Sequence, residues 1–262
     1  MGKTNKEEQY LRMNPFGKVP MLIADFKSST SEDDNKSNNN NNNNKCAIFE
    51  SNAICRFLCQ TENGIGDLLY PRDSVELKAQ IDGWIDSFNV LDCSGPGWLY
   101  PIIGIGKQRG ITYDRENERR TIETCESFLA RLEEHFLRNR REKRGTFLVR
   151  ERGFTLADIV GAASCENLFL HLIESTKWDE KFPSVKFWLE SVYALPEWLE
   201  SVGKMICCKE AMVWRGECTS LVNLPVDQTE NVKWTASKVR STFTSFFEEK
   251  HQHTIVPSSP VV

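Results

Sequence analysis

The chain has 262 residues, of which 40% are hydrophobic and 27% charged, and its formal net charge is −4. This length suits one large or two small globular domains, and the charge gives no reason to expect bulk attraction to nucleic acid or to anionic membranes. No run of about 18 apolar residues is present, and the N-terminus lacks the apolar core of a signal peptide. We therefore expect a cytoplasmic protein with no membrane partner.

The cysteines and histidines do not predict a metal site. The nine cysteines form no C-x-x-C pair; Cys55 and Cys59 are one helical turn apart, and Cys207 and Cys208 are adjacent. In a chain without a secretion signal, such cysteines are expected to be reduced thiols that pack as small hydrophobic residues. His251 and His253 have no third ligand nearby.

Two short apolar segments, separated by a polar tract, predict a pair of strands followed by a helix. Met21 to Ile23 follow the turn signals Pro15 and Gly17, and Ala47 to Phe49 lead directly into Glu50-Ser51-Asn52. A strand that runs straight into a helix leaves free backbone N–H groups, which form a natural anion site.

This pattern, G-K-V-P and then E-S-N-A-I, resembles the second half of the thioredoxin-like domain of glutathione transferases. In that family the residue before a cis-proline, here Val19 before Pro20, pairs its backbone with the cysteinyl part of glutathione. The helix-start pair, here Glu50 and Ser51, holds the γ-glutamyl group. The resemblance leaves glutathione open as a ligand, but these residues also maintain the fold in family members without activity.

The first part of such a domain has no counterpart here. Family members have a strand, a helix and a strand before this point, which need roughly 5 to 12 residues each, and only residues 1–13 are available. The family's catalytic Ser, Cys or Tyr ends that first strand, so no catalytic residue is predicted, and Tyr10 cannot take the role. We expect a vestigial glutathione site and no required cofactor.

Residues 27–45 are rich in Ser, Asp and Asn and include Asn38 to Asn44. Such a tract buries too little apolar surface to offset its ordering entropy, so we expect a disordered insert in the hairpin.

Helical periodicity dominates the middle of the chain. It predicts a helix over Ser74 to Asn89, a glycine-rich bend over 93–110, and a helix whose apolar stripe is Ile122, Cys125, Leu129, Leu132 and Phe136. A basic cluster, Arg138 to Arg144, follows. It is interpreted as a solvated loop between helices, with contact to RNA phosphates as the alternative.

Thr155 and Asp158 have the spacing of a capping box at the start of another helix, with Ile159, Ala162, Ala163 and Leu168 as its apolar face. We assign this pair a structural role. Further helices are expected to begin at Pro183 and Pro196.

The segments F-L-V, T-L-A-D-I, F-P-S-V-K-F-W and L-P-E-W-L resemble the all-helical C-terminal domain of glutathione transferases. More closely, residues 8 to 214 look like the transferase-like domain of the elongation factor one B gamma subunit family. The implied fold is α+β and mostly α: a partial thioredoxin-like domain over 8–70 and a helical domain over 74–214.

The end of the chain changes character after a predicted linker, 215–233. Residues 234–262 resemble the first residues of alanyl-tRNA synthetase, where an R-x-x-F-x-x-F-F helix and then H-x-x-V-P-S-S open a class II aminoacylation domain. The matching positions are Arg240, Phe243, Phe246, Phe247, His253, Val256, Pro257, Ser258 and Ser259. None of that family's catalytic residues can be carried over.

These resemblances imply a non-catalytic interaction module of the translation machinery, attached to an alanine–tRNA ligase. The partners implied are elongation factor subunits or aminoacyl-tRNA synthetases, while a homodimer and tRNA stay open. Two alternatives remain: a glutathione transferase that lacks its first strand, helix and strand, and a tRNA-binding appendage that uses Arg138 to Arg144.

Overall fold

The computed structural model describes residues 3–25, 45–61, 66–107, 110–143, 145–150 and 152–217. The chain divides into two compact units, Met1–Thr219 and Ser220–Val262, and every described residue belongs to the first. The predictions of a disordered insert over 27–44, of a linker beyond 217 and of a synthetase-like segment over 234–262 therefore lie outside the described residues. Among the described helices, none is long and apolar enough to cross a membrane.

A small antiparallel hairpin lies at the start of the fold. Strand β1 is Met21–Asp25 and β2 is Lys45–Phe49, with Met21 opposite Phe49 and Asp25 opposite Lys45. Helix α1, Glu8–Met13, precedes the hairpin and α2, Ser51–Gln60, follows it. The predicted insert, 27–45, ends one residue too late, because Lys45 is paired with Asp25 in the β1–β2 ladder. Backbone pairing of this kind does not require an apolar side chain.

The rest of the unit is helical. Its helices are α3 Gly66–Leu69, α4 Val75–Phe88, α5 Tyr100–Ile103, α6 Arg115–Arg141, α7 Leu156–Ser164, α8 Ser175–Lys181, α9 Pro183–Tyr193 and α10 Pro196–Ser201. Helix α7 packs on α4 and α9, and α6 packs on α9. Gly161 allows the close approach of α7 to α4, because a Cβ at this position would lie 2.7 Å from the Phe88 ring.

Two expectations need correction. Residues 95–103 are helical rather than a loop-rich bend, since they form a π-helical turn over Gly95–Leu99 and then α5. Gly97 serves packing there, because a Cβ would lie 2.2 Å from Thr121 Oγ1. The first part of the basic cluster, up to Arg141, is helical rather than a loop. It forms the last turn of α6, where cations interact favourably with the helix dipole.

The face of α7 also differs from the prediction. Ala163 is exposed and Ile159 only half-buried, whereas Val160 and Gly161 are buried. Helix α7 is covered by neighbours on more than one side, so the single apolar stripe expected of a surface helix does not apply.

The buried carboxylate of Asp158 joins three parts of the helical core. Its Oδ2 accepts from the Thr155 amide at 2.9 Å, closing the capping box at the start of α7, and from the Thr155 hydroxyl at 3.1 Å. Its Oδ1 accepts from the Leu148 amide at 3.0 Å and from Trp188 Nε1, on α9, at 2.9 Å. Burial raises the pKa of Asp158, and these donors oppose that rise.

Replacing Asp158 with Ala is expected to lower the free energy of unfolding by about 3 kcal/mol, because four buried donors lose their acceptor. The matched control is Asp114→Ala, which removes the exposed N-cap of α6 that accepts from Asn117 N at 2.8 Å and should cost about 1 kcal/mol. Denaturant unfolding of both variants measures the two costs. Equal costs would contradict a central role for Asp158.

Two half-buried histidines make stability depend on pH. Burial lowers the pKa of His171 from its ordinary value of 6.5. Burial also lowers the pKa of His135, helped by Arg150 and Arg138 and opposed by the hydrogen bond to the Leu148 carbonyl. Below 6.5 the unfolded chain therefore binds more protons than the folded chain.

We expect the free energy of unfolding to decrease as the pH falls through 6.5. The double variant His135→Gln, His171→Gln should show a shallower dependence between about pH 7.5 and about pH 5.5, above the range where most carboxylates titrate. Urea unfolding at a series of pH values measures this slope. An unchanged slope in the double variant would refute the assignment.

Candidate functional site

The hairpin brings the two halves of the predicted site together. The β1–β2 ladder ends at the pair Met21 and Phe49. Pro20 and Glu50 are each one residue beyond this pair, so Val19, Pro20, Glu50 and Ser51 lie at the same end of the hairpin. Residues 30 positions apart in sequence thus become neighbours through strand register alone.

The Val19–Pro20 peptide bond is cis, as the resemblance implies. The Val19 side chain is 72% exposed, and its backbone precedes the first ladder pair. The loop before it is held by the buried Asn14, whose Nδ2 donates to the Lys18 carbonyl at 2.8 Å. The Tyr10 hydroxyl donates to the same carbonyl at 2.5 Å, so it is engaged in holding this loop.

Glu50 and Ser51 form the start of α2. Glu50 has φ 70° and ψ 122°, a positive φ that residues with side chains rarely adopt. Its side chain does not cap the helix, and its carbonyl accepts the first helical bond, from Ile54 N at 3.0 Å. The N–H groups of Ser51, Asn52 and Ala53 come before that bond and can bind an anion.

Two charged groups that the sequence did not single out lie near this helix start. Asp92, between α4 and α5, is close enough to Glu50 and Lys18 to interact electrostatically with both. Its pKa is raised by partial burial and by the Glu50 carboxylate, and lowered by Lys18. Among the described residues, one ammonium group and two carboxylates thus lie near the start of α2.

Helix α2 is fastened to α4 by polar contacts. Arg56 Nε lies 2.5 Å from Asp82 Oδ1, and Arg56 Nη2 lies 3.0 Å from Asp86 Oδ1. The Tyr70 hydroxyl donates to Asp82 Oδ2 at 2.9 Å, and burial together with this carboxylate raises the pKa of Tyr70 to about 12. This network fixes the start of α2 relative to the helices.

Sequence reasoning missed Asp92, Lys18 and Arg56. Asp92 follows a helix that periodicity predicts, but nothing in its local pattern links it to Glu50. The i, i+4 spacing of Asp82 and Asp86 was the one available signal for a shared cationic partner. Thr155 and Asp158 were predicted correctly as a pair, and they lie at the start of α7 rather than at the hairpin end.

No protein-family model matches the chain. It is 31% identical over 205 residues to probable elongation factor 1-gamma 1 of Arabidopsis thaliana, covering 78% of this chain and 41% of that protein. It is 26% identical over 213 residues to elongation factor 1-gamma of Artemia salina, covering 80% of this chain and 40% of that protein. The chain thus spans about two fifths of the length of the curated relatives it matches.

Solved structures show the same fold. The glutathione transferase-like domain of elongation factor 1-gamma from Saccharomyces cerevisiae aligns with a TM-score of 0.56 and 19% identity, over 79% of this chain and 82% of that one. Glutathione transferase F2 from Populus trichocarpa aligns with a TM-score of 0.51 and 21% identity, over 75% and 79%. The chain therefore contains a glutathione transferase-like domain of the elongation factor 1-gamma type.

Proposed function

We propose that this chain is a protein-interaction module of the translation machinery, which assembles with elongation factor subunits or aminoacyl-tRNA synthetases without catalysing a reaction. The observation that carries the proposal is the similarity to elongation factor 1-gamma over 78% of the chain, on a matching fold. A homodimer and contact with tRNA remain predictions. The link to an alanine–tRNA ligase rests on the sequence of residues 234–262 alone and also remains a prediction.

The surface of the described unit supports an interaction role. On the helical surface, Phe187 of α9 is 54% exposed and Leu199 of α10 is 43% exposed. Between α4 and α6, a groove of about 370 Å³ is lined by Trp84, Val90, Phe128 and Leu132, among others. Surface patches of aromatic and aliphatic side chains are the usual core of protein–protein contacts.

The vestigial site supports the non-catalytic part of the proposal. Val19, Pro20, Glu50 and Ser51 lie at the hairpin end and at the start of α2, where we expect them to maintain the fold. The Tyr10 hydroxyl is bound to a backbone carbonyl. We propose that this end of the hairpin is a retained element of the fold.

Affinity capture tests the interaction role. The tagged full chain, used as bait in nuclease-treated cytosolic extract, should enrich elongation factor 1 subunits or synthetases over a bait of the same fold, glutathione transferase F2 of Populus trichocarpa. Nuclease treatment removes capture through a shared RNA. Equal recovery of translation proteins by the two baits would contradict the proposal.

Glutathione titration tests the vestigial site. Calorimetry of the full chain with reduced glutathione at neutral pH should give no saturable binding in the micromolar range, and a chloronitrobenzene substrate should not be conjugated. The poplar transferase serves as the positive control. Tight binding that Ser51→Ala abolishes, or turnover by the chain, would mean that the site is functional.

A further inference from the structure

A pocket of about 240 Å³ lies between the last turns of α6 and the first turn of α9, far along the chain from the hairpin site. It is lined by residues from both helices and the loop between α6 and α7: Phe136, Asn139, Arg140, Lys143, Gly145, Thr146, Ser184 and Phe187. The lining thus combines two aromatic rings, two cations, two hydroxyl groups and one amide.

The helical spacing of these residues explains why they converge. Phe136 and Arg140 are four residues apart and line one side of the end of α6, and Lys143 lies in the turn two residues after the helix ends, with a φ of 55°. Ser184 and Phe187 are three residues apart at the start of α9 and share a face. The α6–α9 packing brings the two faces together.

Among the described residues, the pocket lining carries two cations and no carboxylate. Within the part of the chain that the structure describes, Arg140 donates to Ser184 Oγ at 3.3 Å, and neither Arg140 nor Lys143 has an ion-pair partner. Arg138, on the same helical turn, differs: it pairs with Glu134 at 3.0 Å. Arg140 and Lys143 can therefore attract an anion to the pocket.

The start of α9 does not supply this charge, because it is already capped. The buried Glu133 carboxylate accepts from the Ser184 and Val185 amides, each at 2.9 Å from Oε2. The orphan N–H groups of this helix are thus satisfied from within the fold. Attraction for an incoming anion comes from the Arg140 and Lys143 side chains.

The buried Asn139 amide, which contributes to the pocket lining, has one atom without a partner. His135 Nε2 lies 2.9 Å from Asn139 Nδ2 and 3.1 Å from the Leu148 carbonyl, while Asn139 Oδ1 has no hydrogen bond. Asn139 Oδ1 is thus a buried acceptor with no donor among the described residues.

We infer that this pocket, formed by α6 and α9, is the docking site for an acidic segment of a partner protein. A carboxylate of that segment would lie between Arg140 and Lys143, and an adjacent apolar side chain would pack on Phe187, which is 54% exposed. The inference deepens the proposed function, because it names the chemistry of the partner at one surface.

Size and composition favour a peptide over the other anions. Pockets for drug-sized molecules or cofactors usually measure about 300–1,000 Å³, so 240 Å³ suits one or two side chains. Arginine beside a half-exposed aromatic ring, here Phe187, is typical of protein interfaces. Nucleic acid would use the whole basic cluster, including Arg138 and Arg141, neither of which lines the pocket.

The test compares two charge reversals of equal size on the full chain. Arg140→Glu with Lys143→Glu reverses the pocket cations, whereas Arg138→Glu with Arg141→Glu makes the same change outside the pocket. The probe is a fluorescein-labelled peptide of repeating Leu-Glu-Phe-Glu, with a Leu-Gln-Phe-Gln control, and fluorescence anisotropy measures its binding. Phe187→Ser, at a half-exposed position, tests the apolar contact, and circular dichroism checks that each variant is folded.

The pocket variant should bind the acidic peptide about tenfold more weakly than the unmodified chain, a loss of about 1.4 kcal/mol. Phe187→Ser should also weaken binding. The control variant, Arg138→Glu with Arg141→Glu, should bind the acidic peptide as tightly as the unmodified chain does and should still prefer it to the Leu-Gln-Phe-Gln peptide. An equal loss in both charge-reversal pairs, or a preference for a tRNA probe over the peptide, would overturn the inference in favour of general phosphate binding. No peptide binding by the unmodified chain would overturn it outright.

Affinity capture with the same variants separates the two proposals. If the Arg140→Glu, Lys143→Glu variant alone fails to capture translation proteins, both proposals are supported. If this variant captures translation proteins as well as the unmodified chain does, the docking role of the pocket is refuted and the proposed function stands. If the unmodified chain captures no translation protein, the proposed function fails, and the anisotropy result still decides whether the pocket binds acidic peptide.

Discussion

The helical part of this fold depends on one buried carboxylate. Asp158 accepts hydrogen bonds from the Thr155 amide and hydroxyl, from the Leu148 amide and from the Trp188 indole. A buried carboxylate is unfavourable unless its oxygens are satisfied, and here both are. The same group therefore caps α7, fixes the loop that follows α6 and orients α9. The α6–α9 pocket lies along this frame, because Ser184 and Phe187 belong to the helix that carries Trp188.

The hairpin depends on the helices in turn. An isolated two-stranded hairpin is marginal in water, and among the described residues the sheet has only β1 and β2. The Arg56 ion pairs with Asp82 and Asp86 hold α2 on α4, and α2 follows directly from β2. The helices thus hold Val19–Pro20 and Glu50–Ser51 in place at the end of the hairpin. This dependence agrees with a domain whose proposed role is assembly.

Features with a local cause were predictable from the sequence. The strands at Met21 and Ala47, the helix starts at Pro183 and Pro196, and the pairing of Thr155 with Asp158 follow from turn, cap and periodicity signals. Features that depend on tertiary contacts were not. The helical turns over 95–103 form despite two glycines and two prolines, and Gly97 leaves room there for Thr121. Asp92 meets Glu50 only when the helices pack, and the α6–α9 pocket exists only once Ser184 lies beside Arg140.

The central claim is that this domain binds a protein partner through its helical surface and not through the hairpin end. Hydrogen–deuterium exchange of the full chain, alone and with a purified elongation factor 1 subunit, tests it most directly. The account predicts slower exchange over residues 136–146 and 183–187 in the complex, with no change at Val19 or over 50–54. Slower exchange confined to the hairpin end, or no change anywhere in the described chain, would contradict it.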